Sequence, residues 1–545
     1  MICKKNTFGT SVLLVMLLFS GCGLFDSSST KESVYTGSIE KECTGEHCDQ
    51  KKSELSDLSS PMVTLSPVFF DNKTEGLPRA KPMKEVRIFD GEEFELTAEY
   101  VQDSINNTPY KRMAYNQQIP GPALVVTRGS EITIKYTNKL DIPTTFSPPM
   151  NAVSEEGQTH KAILPGESAL YTLRFSSEGI FWYQSLLRRD YTQEMGLMGT
   201  IRVVSPPTEE YWYEVQSETT LVLDDFLTNT PFFPEVVDHA LSGRKGDVLF
   251  INNSEDTVIG AETGDVVRFF LANASNGRSF GIRFGENKTK LVGGDYGRIE
   301  EEYILQKVSL APGERRIVEV FFDKPGDVPI THEGTIIGTL SVSEKKTGIP
   351  DDIEQMNMED LEPLKNFGGL RKYGKEYGFF RSQSEIYEKE LPEKQIHIEP
   401  EVDEENLISQ YESATEEKNP DEALNTAADS NTLYWIVRDS ETRKKNQNID
   451  WQFKSGDLVK IRIDNSIDTQ YPADHVLHID GQRFLVLEKD GKAPHNWQWQ
   501  DTIKVSKGQV VDILVLMEYA GKGALISRIP EHQHTGVMVT FTVDE

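Results

Sequence analysis

The sequence predicts an all-β protein built as three β-sandwich domains, and three observations carry that reading. Apolar and polar residues alternate over short runs, as in Glu93-Phe94-Glu95-Leu96-Thr97 and Glu131-Ile132-Thr133-Ile134-Lys135-Tyr136-Thr137, which is the period of a half-buried strand. Gly/Pro turns such as Ile119-Pro120-Gly121-Pro122 and Leu164-Pro165-Gly166-Glu167 separate the runs. One plan also recurs. Gly129-Ser130-Glu131 with Pro165-Gly166-Glu167 is echoed by Gly264-Asp265-Val266 with Pro312-Gly313-Glu314, and by Gly456-Asp457-Leu458 with Lys507-Gly508-Gln509. Many short strands between turns, repeated at domain spacing, indicate sandwiches.

Residues 1–22 read as a targeting segment. Lys4 and Lys5 precede the apolar run Val12–Phe19 and the small residues Ser20-Gly21-Cys22. The run is too short to span a bilayer. It resembles a bacterial lipoprotein signal in which Cys22 becomes the lipidated first residue; an ordinary secretory signal is the alternative. The expectation is an exported protein held to the cell membrane or outer membrane by lipid, facing the periplasm or the exterior. Residues 23–80, rich in Ser, Lys, Glu and Thr, form a flexible tether with little core. In an oxidising compartment Cys43 and Cys48 are expected to form a local disulfide, with a metal site that includes His47 as the other reading.

The first domain spans 81–206. Its strands run through Glu85–Phe89, Glu93–Thr97, Leu124–Thr127, Glu131–Thr137, Ala162–Phe175, Gly179–Tyr183 and Gly199–Val204. The second spans 207–345, marked by Thr220–Asp225, Gly264–Ser275 and Leu310–Arg315. Residues 346–431 read as an acidic linker or insertion, interrupted by a basic and aromatic stretch, Arg371–Arg381, that either wraps a domain surface or binds a partner. The third domain spans 432–545. With 57 basic and 87 acidic residues the net charge is −30, which repels phosphates and argues against nucleic acid as a partner.

Chemistry-bearing residues gather at the end of the chain. His475, His478 and Asp480 precede one strand, and Glu531-His532-Gln533-His534 lies close to the C-terminus. His160, His239, His332, His397 and His495 have no spaced partners and read as surface or loop residues. Trp497 and Trp499 read as core.

These blocks, with Tyr115-Asn116 through Pro122, Thr137-Asn138-Lys139-Leu140 and Trp182-Tyr183 through Glu194-Met195-Gly196-Leu197, resemble the three-domain bacterial multicopper oxidases. The resemblance implies three cupredoxin-like Greek-key β-sandwich domains. It also implies a His/His/Cys copper site that passes electrons through a His-Cys-His motif to a trinuclear copper cluster held by four His-X-His-type motifs. The first motif falls on Ser147-Pro148-Pro149 and the second on Gln184-Ser185-Leu186. The third falls on His475, His478 and Asp480. The fourth falls on Ile526-Ser527-Arg528, and the axial position on Val537. Of the ligand set only His475, His478 and His532 remain.

The thiolate is replaced by Ser527, whose neutral hydroxyl is a poor ligand for copper. The sequence therefore predicts an envelope scaffold or binding protein with an envelope protein as partner, and neither oxidase activity nor a resident cofactor. The alternative is an oxidoreductase or copper-handling protein with a reduced site on His475, His478 and His532 that binds copper at low occupancy. Asp480 and Arg528 fall on facing cluster positions and are expected to form an ion pair there, because a lone buried charge is costly.

Overall fold

A computed structural model of the chain describes residues 72–148, 161–228, 236–345, 367–414 and 419–545. The expectations for Cys22, Cys43, Cys48, Pro149 and His160 lie outside these residues.

The described residues form three two-sheet sandwiches on one plan. In each, the strand that follows the repeated Gly turn pairs in parallel with the first long strand of its domain. Glu131–Asn138 pairs with Glu93–Ile105, Val266–Asn273 with Ser217–Phe226, and Leu458–Asn465 with Lys394–Val402. In the facing sheet the last strand of each domain also runs parallel to an earlier one: Met198–Val204 to Ala123–Thr127, Thr335–Ser343 to Thr257–Glu262, and Met538–Asp544 to Asp450–Lys454. Alternation puts Leu96, Ala98, Ile132 and Ile134 into the first core, Leu221, Leu223, Val267 and Phe269 into the second, and Ile396, Ile461, Ile463 and Ile513 into the third.

This register corrects one boundary. Lys394–Val402 pairs with Leu433–Asp439 on one side and Leu458–Asn465 on the other, so the third domain begins near residue 394 rather than 432. The remainder of the expected linker carries the helices Gly374–Lys389, Glu404–Ala414 and Pro420–Ala427. The basic and aromatic stretch folds onto the second and third domains. Arg371 stacks on Tyr213, Tyr377 is buried and donates to the Arg298 carbonyl, Arg381 pairs with Glu300, and Phe380 packs edge-on against Trp499.

Candidate functional site

His475 and His478 of the third domain separate by parity. His475–Ile479 is an interior strand between Thr502–Val505 and Gly521–Ser527. Alternate residues of a strand face opposite sides. His475, Leu477 and Ile479 therefore turn into the sandwich, while His478 turns outward toward the first domain. The neighbouring strand is in register, Leu477 opposite Ser527 and His478 opposite Ile526. Ser527 thus shares the inward side, and Ile526 and Arg528 share the outward side with His478.

On the inward side His475 and His532 are both fully buried, with their Nδ1 atoms 3.1 Å apart. The Trp435 ring packs on both, at centroid distances of 4.5 and 5.3 Å. The second domain caps the pair, its Leu241 carbonyl lying 3.1 Å from His532 Nε2. A carbonyl only accepts, so His532 carries its proton on Nε2. Burial, opposed by that carbonyl, pushes the His532 pKa down to about 4, and the ring is neutral with a bare Nδ1. His475 Nδ1 must then donate to it, leaving His475 Nε2 buried without a hydrogen-bond partner. Burial and His532 hold His475 neutral as well. Ser527 adds little as a donor to metal. Its hydroxyl donates to the Val476 carbonyl at 3.3 Å and accepts from Ile529 N–H at 3.1 Å.

On the outward side a cavity of about 50 Å³ lies where all three domains meet. Ser147, Pro148, Gln184 and Leu186 come from the first domain, Tyr296 and Arg315 from the second, and His478, Asp480, Asp501, Ile526 and Arg528 from the third. Its strongest interaction is one the motifs did not reveal. Arg315 grips Asp501 with both terminal nitrogens, at 2.8 and 2.7 Å, and donates from Nε to the Ile180 carbonyl. One buried fork thereby ties the three domains together. Asp501 also meets His478 Nδ1 at 3.2 Å. Burial opposes the Asp501 charge, but Arg315 and His478 outweigh it and hold the carboxyl well below the usual range.

Several expectations are corrected here. His478 cannot join His475 and His532 in one site, because it occupies the opposite face of the strand. Asp480 and Arg528 do line the same cavity, and the Asp480 charge favours charged Arg528. They form no pair within 4 Å; Asp480 lies instead 4.0 Å from His478 Nε2, and Arg528 reaches toward Gly313 of the second domain. His239 does lie in a loop but is buried, and His332 is buried at the end of the strand Gly326–His332. His534 ties the third domain to the first through Asp190, at 3.2 Å.

Among the described residues no group of three or more His, Cys, Asp or Glu side chains is arranged to hold a metal ion. With the Ser527 hydroxyl held by backbone and the cluster position lined by Arg315–Asp501, Pro148, Leu186 and Ile526, the donor set does not fit a blue copper centre or a trinuclear cluster.

Residues 97–208 and 415–545 match family models described as multicopper oxidase. The chain is 21% identical to the multicopper oxidase mco of Staphylococcus aureus over 81% of its own length and 85% of the relative's. It is 23% identical to the cell division protein FtsP of Proteus mirabilis over 72% and 76%. The crystal structure of a multi-copper oxidase from Pseudomonas thermotolerans superposes with a TM-score of 0.61 at 19% identity, covering 84% of this chain and all of that one. The chain is a multicopper oxidase-like member of the cupredoxin family.

Proposed function

We propose that this protein is an exported lipoprotein of the cell envelope that uses the three-domain frame as a scaffold or binding surface and does not reduce oxygen. The observation that carries this reading is the Arg315–Asp501 fork in the cluster position. A cationic guanidinium repels metal cations, and the residues around it supply neither thiolate nor paired imidazoles. The similarity to cell division proteins supports an envelope role, with an envelope or division protein as partner. Lipid on Cys22 would keep the protein at the membrane, and a Cys43–Cys48 disulfide would close a short loop in the tether.

A second reading has one observation in its favour. Two Nδ1 atoms 3.1 Å apart can both reach a metal at about 2.0 Å with an angle of roughly 100° between them. Both could bind only after the His475 proton moves to Nε2, where no acceptor waits. Two imidazoles alone make a weak site.

The test is to load the signal-less protein with Cu(II), then measure bound metal, the blue absorption of a copper–thiolate centre and phenol oxidation, with His475→Ala and His532→Ala in parallel. The scaffold reading expects no blue band and no oxidation. Stoichiometric copper with histidine-dependent oxidation would reject it.

A further inference from the structure

We propose that the three-domain cavity binds a small monovalent anion, the size of chloride or of a planar carboxylate such as formate, on Arg528, Gln184 and Ser147. The starting point is Arg528. It is 5% exposed and lines the cavity. Among the described residues its guanidinium makes no hydrogen bond or ion pair, and its Nε is buried without a partner. A buried guanidinium without an anion is costly. Burial, with Arg315 beside it, pushes its pKa down to about 10.

Two further donors face the same space. Gln184 and Ser147 are largely buried residues that line the cavity. Among the described residues neither side chain has a hydrogen-bond partner, although the backbones of these two residues bond to each other. The convergence follows from the fold. Ser147 and Gln184 form a bridge on the first domain, and Arg528 approaches from the third, its Nε packed over Gly313 of the second.

The acceptors on the same wall are already engaged. Both oxygens of Asp501 are held by Arg315, and Oδ1 also meets His478 and Thr502. Asp480 lies near His478. Its charge opposes an anion, so binding is expected to be weak and to favour a single charge. Asp295, on the far side of Arg315 at 3.5 Å, opposes less, because burial pushes its carboxyl up despite that guanidinium. Size sets the class of ligand. A water needs roughly 10–15 Å³ of such space, so about 50 Å³ admits one halide or one three-atom carboxylate with a water.

The inference rests on the reading that no copper cluster forms in this cavity, and copper analysis of the same crystals separates the two. Crystals of the signal-less protein are soaked in sodium bromide and measured at the bromine edge. The expected result is an anomalous peak against Arg528, Gln184 and Ser147 that is lost in Arg528→Gln. In solution, chloride or formate should raise the Tm by roughly 1–2 °C over gluconate at equal ionic strength. Arg528→Lys should retain part of that difference, and Gln184→Leu should reduce it. A copper-free wild-type cavity without bromide, holding water alone, would overturn the proposal. So would a chloride effect undiminished in both Arg528→Gln and Gln184→Leu. Copper in the cavity would instead overturn the metal-free reading beneath it.

Discussion

At the residue scale, two histidines three positions apart look like one metal motif but serve two environments. Their separation is odd, so a strand sends His475 to the interior and His478 to the domain junction. Periodicity contained that division. It contained nothing of Arg315–Asp501, whose members are 186 positions apart in sequence and meet only because the second and third domains pack. Removing one member leaves the other charge buried, so Asp501→Asn should cost about 3–5 kcal/mol, read as a lower denaturant midpoint. Glu194 offers a pH test. Burial, opposed by Arg244, pushes its pKa up to about 7. The native state therefore keeps a proton that the unfolded chain releases above its own, lower pKa. The stability so contributed is complete in acid and is lost as pH rises from about 4.5 through 7. Glu194→Gln should flatten this fall by up to about 3 kcal/mol between pH 5 and 8, measured by urea unfolding at each pH. An unchanged slope would mean that Glu194 is ionised in the native protein.

At the element scale, most strands were legible because half-buried strands announce themselves by alternation. The first and second domains begin where the pattern does. Lys394–Val402 escaped because its alternation is brief, Ile396 and Ile398 only, and is set among Glu399, Pro400 and Glu401, residues that signal loops. The parallel pairing in the other two domains shows why the strand must exist: without it Leu458–Asn465 would be an unpaired edge. Ile396 and Ile398 are buried in the third core. Ile396→Ala and Ile398→Ala should each cost about 2–5 kcal/mol, seen as a fall in Tm. In a surface linker both would be neutral, and that outcome would restore the boundary at 432. The helix Gly374–Lys389 was hidden for a different reason. Its polar face carries Glu376 and Arg381, whose partners Arg298 and Glu300 belong to the second domain, so its role depends on a surface elsewhere in the chain.

At the scale of the whole molecule, the two places where the resemblance puts copper depart from a metal site by different amounts. The inward site lies largely within one domain, and there His475 and His532 share their side with Ser527 where the resemblance expects a thiolate. The outward site is shared by three domains, and its lining offers one imidazole, His478, among Ser147 and Gln184 of the first, Arg315 of the second, and Asp480, Ile526 and Arg528 of the third. Ser527→Cys should therefore separate them. Cysteine at 527 shares the inward side with His475 and His532, whose Nδ1 atoms already lie at a span suited to one metal. A thiolate would supply the missing soft donor and a negative charge in a buried site. The variant is expected to bind one Cu(II) and to show a blue thiolate absorption that is lost again in the His475→Ala background. It is not expected to consume oxygen with a phenol, because the electron would arrive at a guanidinium–carboxylate fork instead of a copper cluster. Oxygen reduction by Ser527→Cys alone would mean that the three-domain junction still holds metal. A colourless variant that folds normally would mean that the inward frame, too, has lost its metal geometry.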